Sequence, residues 1–120
     1  MKSNLKKYCI NENDTITTAI EKFQFIHPNR DLLVVKKDKV IGALSEGDVL
    51  RSILDGTQLF YSIKKIYNRN FKYLTKYDRK KAIQYFHRYN FHLIPIVSKS
   101  FKLINVVTIR STISLNEFIK

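Results

Sequence analysis

Apolar residues at Ile16, Ala19, Ile20 and Phe23 follow the i, i+3, i+4, i+7 spacing of one helical face. Asp14 or Thr15 stands in front of that run as a capping side chain. His27-Pro28-Asn29-Arg30 stops it, because proline lacks an amide donor and the residue before it resists helical geometry. The period then changes. Leu32-Leu33-Val34-Val35 reads as a short buried strand, Lys37-Asp38 as a polar turn, and Val40-Ile41-Gly42-Ala43-Leu44 as the other arm of a hairpin. Ser45-x-x-Asp48 has the form of a capping box with Asp at its last position. The helix it opens places Val49, Leu50, Ile53 and Leu54 on one face and ends near Gly56.

The same order returns in the second half. Ala19-Ile20-Glu21-Lys22-Phe23 recurs as Ala82-Ile83-Gln84-Tyr85-Phe86 at a shift of 63, and Leu33-Val34-Val35 as Pro95-Ile96-Val97 at 62. Val40 to Ser45 recurs as Leu103-Ile104-Asn105-Val106-Val107-Thr108, again at 63. Lys72-Tyr73-Leu74 is then a short strand, and Asp78 to Tyr89 a helix with Ala82, Ile83 and Phe86 inward. His92 to Val97 and Leu103 to Ile109 make a second hairpin, and Ser111 to Phe118 a short final helix. Gln58 to Asn70 connects the copies, with Ile63, Ile66 and Tyr67 marking a packed turn of helix. The expected fold class is α+β: strand, helix, strand, strand, helix, given twice with pseudo-twofold symmetry. Residues 1–60 form the first repeat and 61–120 the second. A unit of ~60 residues is marginal alone, so the copies are expected to share a core.

Charge sharpens this picture. The 120 residues carry 22 Lys+Arg against 10 Asp+Glu, a net +12. Residues 1–60 hold nine bases and eight acids; residues 61–120 hold thirteen and two. Such asymmetry fits nucleic acid, an anionic surface or a phosphorylated ligand, and equally a lysine-rich solvated face. Residues 61–90 pair nine Lys/Arg with many aromatics, the combination that holds single-stranded nucleic acid. Helical and strand spacing, however, assigns Phe86, Phe71 and Tyr73 to packing and leaves Arg79, Lys80 and Lys81 on a wet face.

No apolar run reaches the ~18–20 residues needed to span a bilayer, and the first residues lack the apolar stretch of a secretory signal. A soluble, cytoplasmic protein is expected. The lone Cys9 excludes an intrachain disulfide and a multi-Cys zinc site. His27, His87 and His92 show no paired ligand spacing, so no metal is expected. No nucleophile–base constellation or pair of catalytic carboxylates has a local signature, and catalysis is not expected from this chain.

Short apolar strands leading into Gly-x-x-Ser/Thr-x-x-Asp resemble the CBS domain (the cystathionine-β-synthase module). The likeness rests on Thr15 to Phe23, Leu32 to Asp48 and Tyr73 to Ser111. Two such repeats make a CBS pair, or Bateman module. Ser45-Glu46-Gly47-Asp48-Val49-Leu50-Arg51-Ser52-Ile53-Leu54-Asp55-Gly56, followed by Ser62-Ile63-Lys64-Lys65-Ile66-Tyr67-Asn68, looks like the pair preceding the catalytic domain of some bacterial sugar-phosphate nucleotidyltransferases. That likeness implies a regulatory segment whose enzyme lies past Lys120, an expectation by analogy. It also implies an adenine nucleotide (AMP, ADP or ATP) or another adenosyl ligand between the repeats. Homodimerisation is implied too, through helices around Val49 to Leu54 and the C-terminal segment.

The chemistry of the first motif suits such a ligand. Gly42 permits close approach to the strand that continues through Leu44. Ser45, at the helix start, can present its hydroxyl and free amides to a phosphate. Asp48 has two acceptor oxygens for the vicinal hydroxyls of a ribose. The resemblance adds Tyr73, Leu74, His92 and Pro95 from the other repeat, with His92 reaching a phosphate. Each residue also has a plainer role: Ser45 and Asp48 as ordinary helix caps, His92 as a hydrogen-bonded strand-edge side chain. The second motif is degenerate. It keeps Thr108 but has Asn105 for the glycine and Ser111 for the aspartate, with Arg110 beside it, so one competent site per chain is expected. The alternatives are a ligand-free dimerisation or interaction module in which Asp48 is only a cap, and a nucleic-acid binder through residues 61–90.

Overall fold

The computed structural model describes residues 3–112. A 3-10 helix, Ser3–Tyr8, leads into β1 (Cys9–Asn11), α1 (Ile16–Ile26), β2 (Asp31–Lys36), β3 (Lys39–Ser45) and α2 (Glu46–Leu54). A second 3-10 turn, Ile63–Lys65, lies in the connector, before α3 (Arg79–Arg88), β4 (Leu93–Val97), β5 (Leu103–Thr108) and α4 (Ile109–Thr112). One sheet has the order β1-β2-β3, with β1 parallel and β3 antiparallel to β2; β4 and β5 pair antiparallel in the other. The second copy of β1 is reduced to a single parallel bridge between Leu74 and Ile96, in place of the expected strand at Lys72 to Leu74. The α+β architecture repeats as the sequence implies.

The strands at the centre are apolar on both faces because both are covered. Leu32 and Val34 of β2 join Ile10, Ile16, Phe23 and Leu44 in one core, while Leu33 turns to the opposite side. Ile94 and Ile96 of β4 join Leu74, Ala82 and Val107. Between these cores lies a third cluster built by both halves: Leu5, Cys9, Leu33 and Val40 from the first, Leu93, Val97 and Leu103 from the second. Burial in that cluster pushes the Cys9 thiol up to about 11, so it remains a protonated packing group near neutrality.

The connector packs on the first half. Ile16 and Thr17 donate amides to the carbonyls of Tyr61 and Leu59 at 3.0 and 3.1 Å, satisfying donors that the start of α1 leaves open. Thr15 supplies the cap, its Oγ1 accepting from the Thr18 amide. Further on, Asn68 and Ala43 exchange two backbone hydrogen bonds at 2.8 and 2.9 Å, which seat the connector on β3.

Some expectations fail on exposure. Helical spacing places Ile83 inward on α3, but Ala82 and Phe86 take that face and Ile83 is 38% exposed. Leu50 and Leu54 share the predicted stripe of α2, yet they are 60% and 84% exposed because α1 covers only the Val49–Ile53 side. The final helix begins at Ile109, two residues before its expected start, and the part of the expected Ser111 to Phe118 helix beyond Thr112 lies outside the described residues.

Candidate functional site

β3 ends where α2 begins, and Ser45 serves both elements. Its Oγ accepts the Asp48 amide at 3.0 Å, while Asp48 Oδ2 accepts the Ser45 amide at 3.0 Å, a closed capping box. The other carboxylate oxygen, Oδ1, accepts from Arg51 Nη2 at 2.7 Å. Both residues face a cleft of about 400 Å³, within the range of small-molecule sites. One wall comes from the first repeat: Asp31 and Leu33 of β2, Ala43 and Ser45 of β3, and Asp48 of α2. The other comes from Asn68, Asn70, Phe71 and Lys72, then Tyr89, Asn90, Phe91, Leu93 and Pro95.

Asp31 is one of the cleft residues that sequence reasoning missed. It opens β2 opposite Ser45 in the antiparallel register and is 5% exposed. Its Oδ2 accepts the backbone amide of His92, a short contact that ties the first repeat to the start of β4. Burial raises the Asp31 pKa, and the nearby Asp48 charge adds to the rise, while the His92 amide opposes it. The signal for this role is long-range: a carboxylate before an apolar strand is unremarkable until the other repeat supplies its donor.

The remaining wall is aromatic. Tyr89 and Phe91 stack with rings 5.6 Å apart and 8° from parallel, and Lys72 Nζ sits 4.9 Å from the Tyr89 ring centre. Such stacking and cation–π contact hold all three side chains in place at the mouth.

The sequence-predicted residues distribute unevenly. Ser45, Asp48 and Pro95 share the cleft. Gly42 does not line it: a Cβ there would lie 2.4 Å from Tyr67 Cδ2 and 2.7 Å from the Asn68 carbonyl, so the glycine makes room for the connector, not for a ligand. Leu44 is fully buried in the first core and Leu74 in the second-repeat core. Tyr73 points away and meets Phe101 edge-on at 4.9 Å. His92 turns to Asp31, its Nδ1 3.9 Å from Oδ2, and contributes no surface to the cleft lining. Thr108 and Ser111 repeat the capping exchange, with hydrogen bonds of 2.9 and 3.1 Å through hydroxyls alone. Neither they nor the exposed Arg110 line this cleft.

Among the described residues, no group of three or more His, Cys, Asp or Glu side chains is placed to hold a metal ion. No helix among them is long and apolar enough to cross a membrane.

In sequence, residues 1–55 match the family model described as the CBS domain. No curated protein matches the chain. Similar solved structures include a CBS domain protein from Pyrobaculum aerophilum complexed with AMP, 18% identical, with a TM-score of 0.75 over 92% of this chain and 87% of that one. The CBS domains of a transcriptional regulator from Streptococcus pneumoniae are 18% identical, with a TM-score of 0.74 over 93% and 90% of the two chains. The cytosolic domain of the Mg2+ channel MgtE in complex with ATP is 19% identical, with a TM-score of 0.70 over 88% of this chain and 43% of that one. Residues 1–55 are thus matched by the CBS domain in sequence, and the chain as a whole has the fold of CBS-domain proteins.

Proposed function

We propose that this chain is a non-catalytic regulatory module that binds an adenine nucleotide, or another adenosyl ligand, in the cleft between its repeats. One observation carries the reading: Asp48 and Ser45 open onto the same cleft as Leu93 and Pro95 of the other half. A ligand held there would touch both halves and bias their relative arrangement, a shift that an attached or partner domain could read. Asp48 is the group for the ribose. Its oxygens each have one protein partner, leaving acceptor capacity for two neighbouring hydroxyls. The AMP and ATP held by two of the similar structures support the ligand class.

The same reading extends to a cytoplasmic homodimer that regulates an attached sugar-phosphate nucleotidyltransferase. The exposed Leu50 and Leu54 support self-association through α2. Phe71, Tyr85 and Phe86 of residues 61–90 pack against cores, which takes these rings from base stacking and favours the nucleotide over a nucleic acid.

Calorimetric titration with AMP, ADP, ATP and S-adenosylmethionine tests the proposal. At least one is expected to bind the wild type with one site per chain. Asp48→Asn keeps an oxygen for the Ser45 amide, so it should retain the fold while binding about tenfold or more weakly, the scale of a lost charged hydrogen bond. No binding by any of the four would overturn the reading in favour of a ligand-free interaction module.

A further inference from the structure

Resting on the nucleotide reading above, we infer that the cleft holds the anionic end of its ligand at Lys72, away from the start of α2, and takes one phosphate in preference to three. The start of α2 is poorly suited to an anion. The Glu46 amide donates to the Arg30 carbonyl at 3.0 Å, and the Asp48 amide to Ser45 Oγ at 3.0 Å. Its first turn carries Glu46 and Asp48, and the buried carboxylate of Asp31 lies on the same wall. A phosphate there would meet two carboxylates of the lining at low solvent exposure, where repulsion is weakly screened. The nearby cations do not relieve this: Arg51 is paired with Asp48 at 2.7 Å, and the His92 ring faces Asp31.

The opposite wall has the complementary chemistry. Lys72 is the one cationic side chain on the cleft lining among the described residues. It is half-buried, and the Tyr89 ring, itself stacked on Phe91, holds its ammonium in place without neutralising it. The amides of Asn70 and Asn90 lie on the same stretch of lining and add neutral donors. A ribose at Asp48 and a phosphate at Lys72 would therefore span the cleft from one repeat to the other. The charge count limits the chain of phosphates. Asp31 and Asp48 of the lining stand against Lys72 and the Asp48-paired Arg51, so each further phosphate adds negative charge with no new cation to meet it.

Titrating adenosine, AMP and ATP without divalent cations into wild type and Lys72→Met tests this, with thermal melting as the control for folding. Wild type should bind AMP roughly fivefold more tightly than adenosine, the scale of one partly exposed ion pair, and more tightly than ATP. In Lys72→Met the AMP-to-adenosine ratio should fall to about one. An unchanged ratio in a folded variant, or ATP binding more tightly than AMP to wild type, overturns the inference while leaving the nucleotide reading standing. No binding by any of the three overturns the inference, and the nucleotide reading falls with it when ADP and S-adenosylmethionine also fail to bind.

Discussion

Asp31 concentrates the tension between folding and the cleft in one side chain. It is buried, yet it is a carboxylate beside another carboxylate, and its amide partner comes from the other repeat. Burial raises its pKa in the folded state above the ordinary value of 3.8. The folded protein therefore binds that proton more tightly than the unfolded chain. Stability should fall as pH rises from about 4 through the raised pKa, then level off. Asp31→Asn keeps an acceptor for the His92 amide and carries no charge toward Asp48 or His92. Its stability relative to wild type should grow across that window and become constant above it, measured by urea unfolding at a series of pH values. Parallel curves for the two proteins would contradict this account. None of it was legible in sequence, because Asp31 gains its meaning only from the β2–β3 register and from an amide 61 residues away.

At the level of elements, local signals served well and pairing signals did not. The capping box at Ser45/Asp48, the helix breaker at Pro28 and the two hairpins all follow from residues within a few positions of one another. The role of Gly42 does not. Its position before the capping serine suggested space for a ligand, whereas the space belongs to Tyr67, whose hydroxyl donates to the buried Glu12 at 3.1 Å. Lys36, 3.2 Å from the same carboxylate, holds Glu12 below the usual carboxylate range. The connector is thus seated on β3 by a ring and a backbone exchange, and held to the residue after β1 by an acid. Gly42→Ala should force that ring and the Asn68 carbonyl outward and destabilise the protein by about 1–3 kcal/mol, as overpacking does. A loss below roughly 0.5 kcal/mol in urea unfolding, the range of an unremarkable surface change, would show that the connector yields freely. The exposed Leu50, Leu54 and Ile83 carry the same lesson: a 3.6-residue period marks an apolar stripe but not how much of it a neighbouring element covers.

Over the whole molecule, duplication explains both the architecture and the position of the cleft. β2 and β4 occupy corresponding places in the repeats, each sending one face into its own core and the other into the cluster that the two halves build jointly. Leu33 and Leu93 meet in that cluster and also line the cleft, so the packing that joins the repeats forms the floor of the candidate site. The repeat was readable from three matched segments. Which copy kept the carboxylate was readable as well, since Asp48 has two acceptor oxygens where Ser111 has one hydroxyl. The far wall of Asn70, Lys72, Tyr89 and Phe91 was not, because those residues lie between or at the ends of regular elements where no period marks an inward face. The most direct test of the account compares AMP with its 2′-deoxy and 3′-deoxy analogues by calorimetry, in wild type and in Asp48→Asn. If Asp48 grips neighbouring hydroxyls, each deoxy analogue should bind the wild type about tenfold more weakly than AMP, and Asp48→Asn should nearly abolish the difference. Equal affinity of wild type for all three, or full discrimination surviving in the variant, would contradict it.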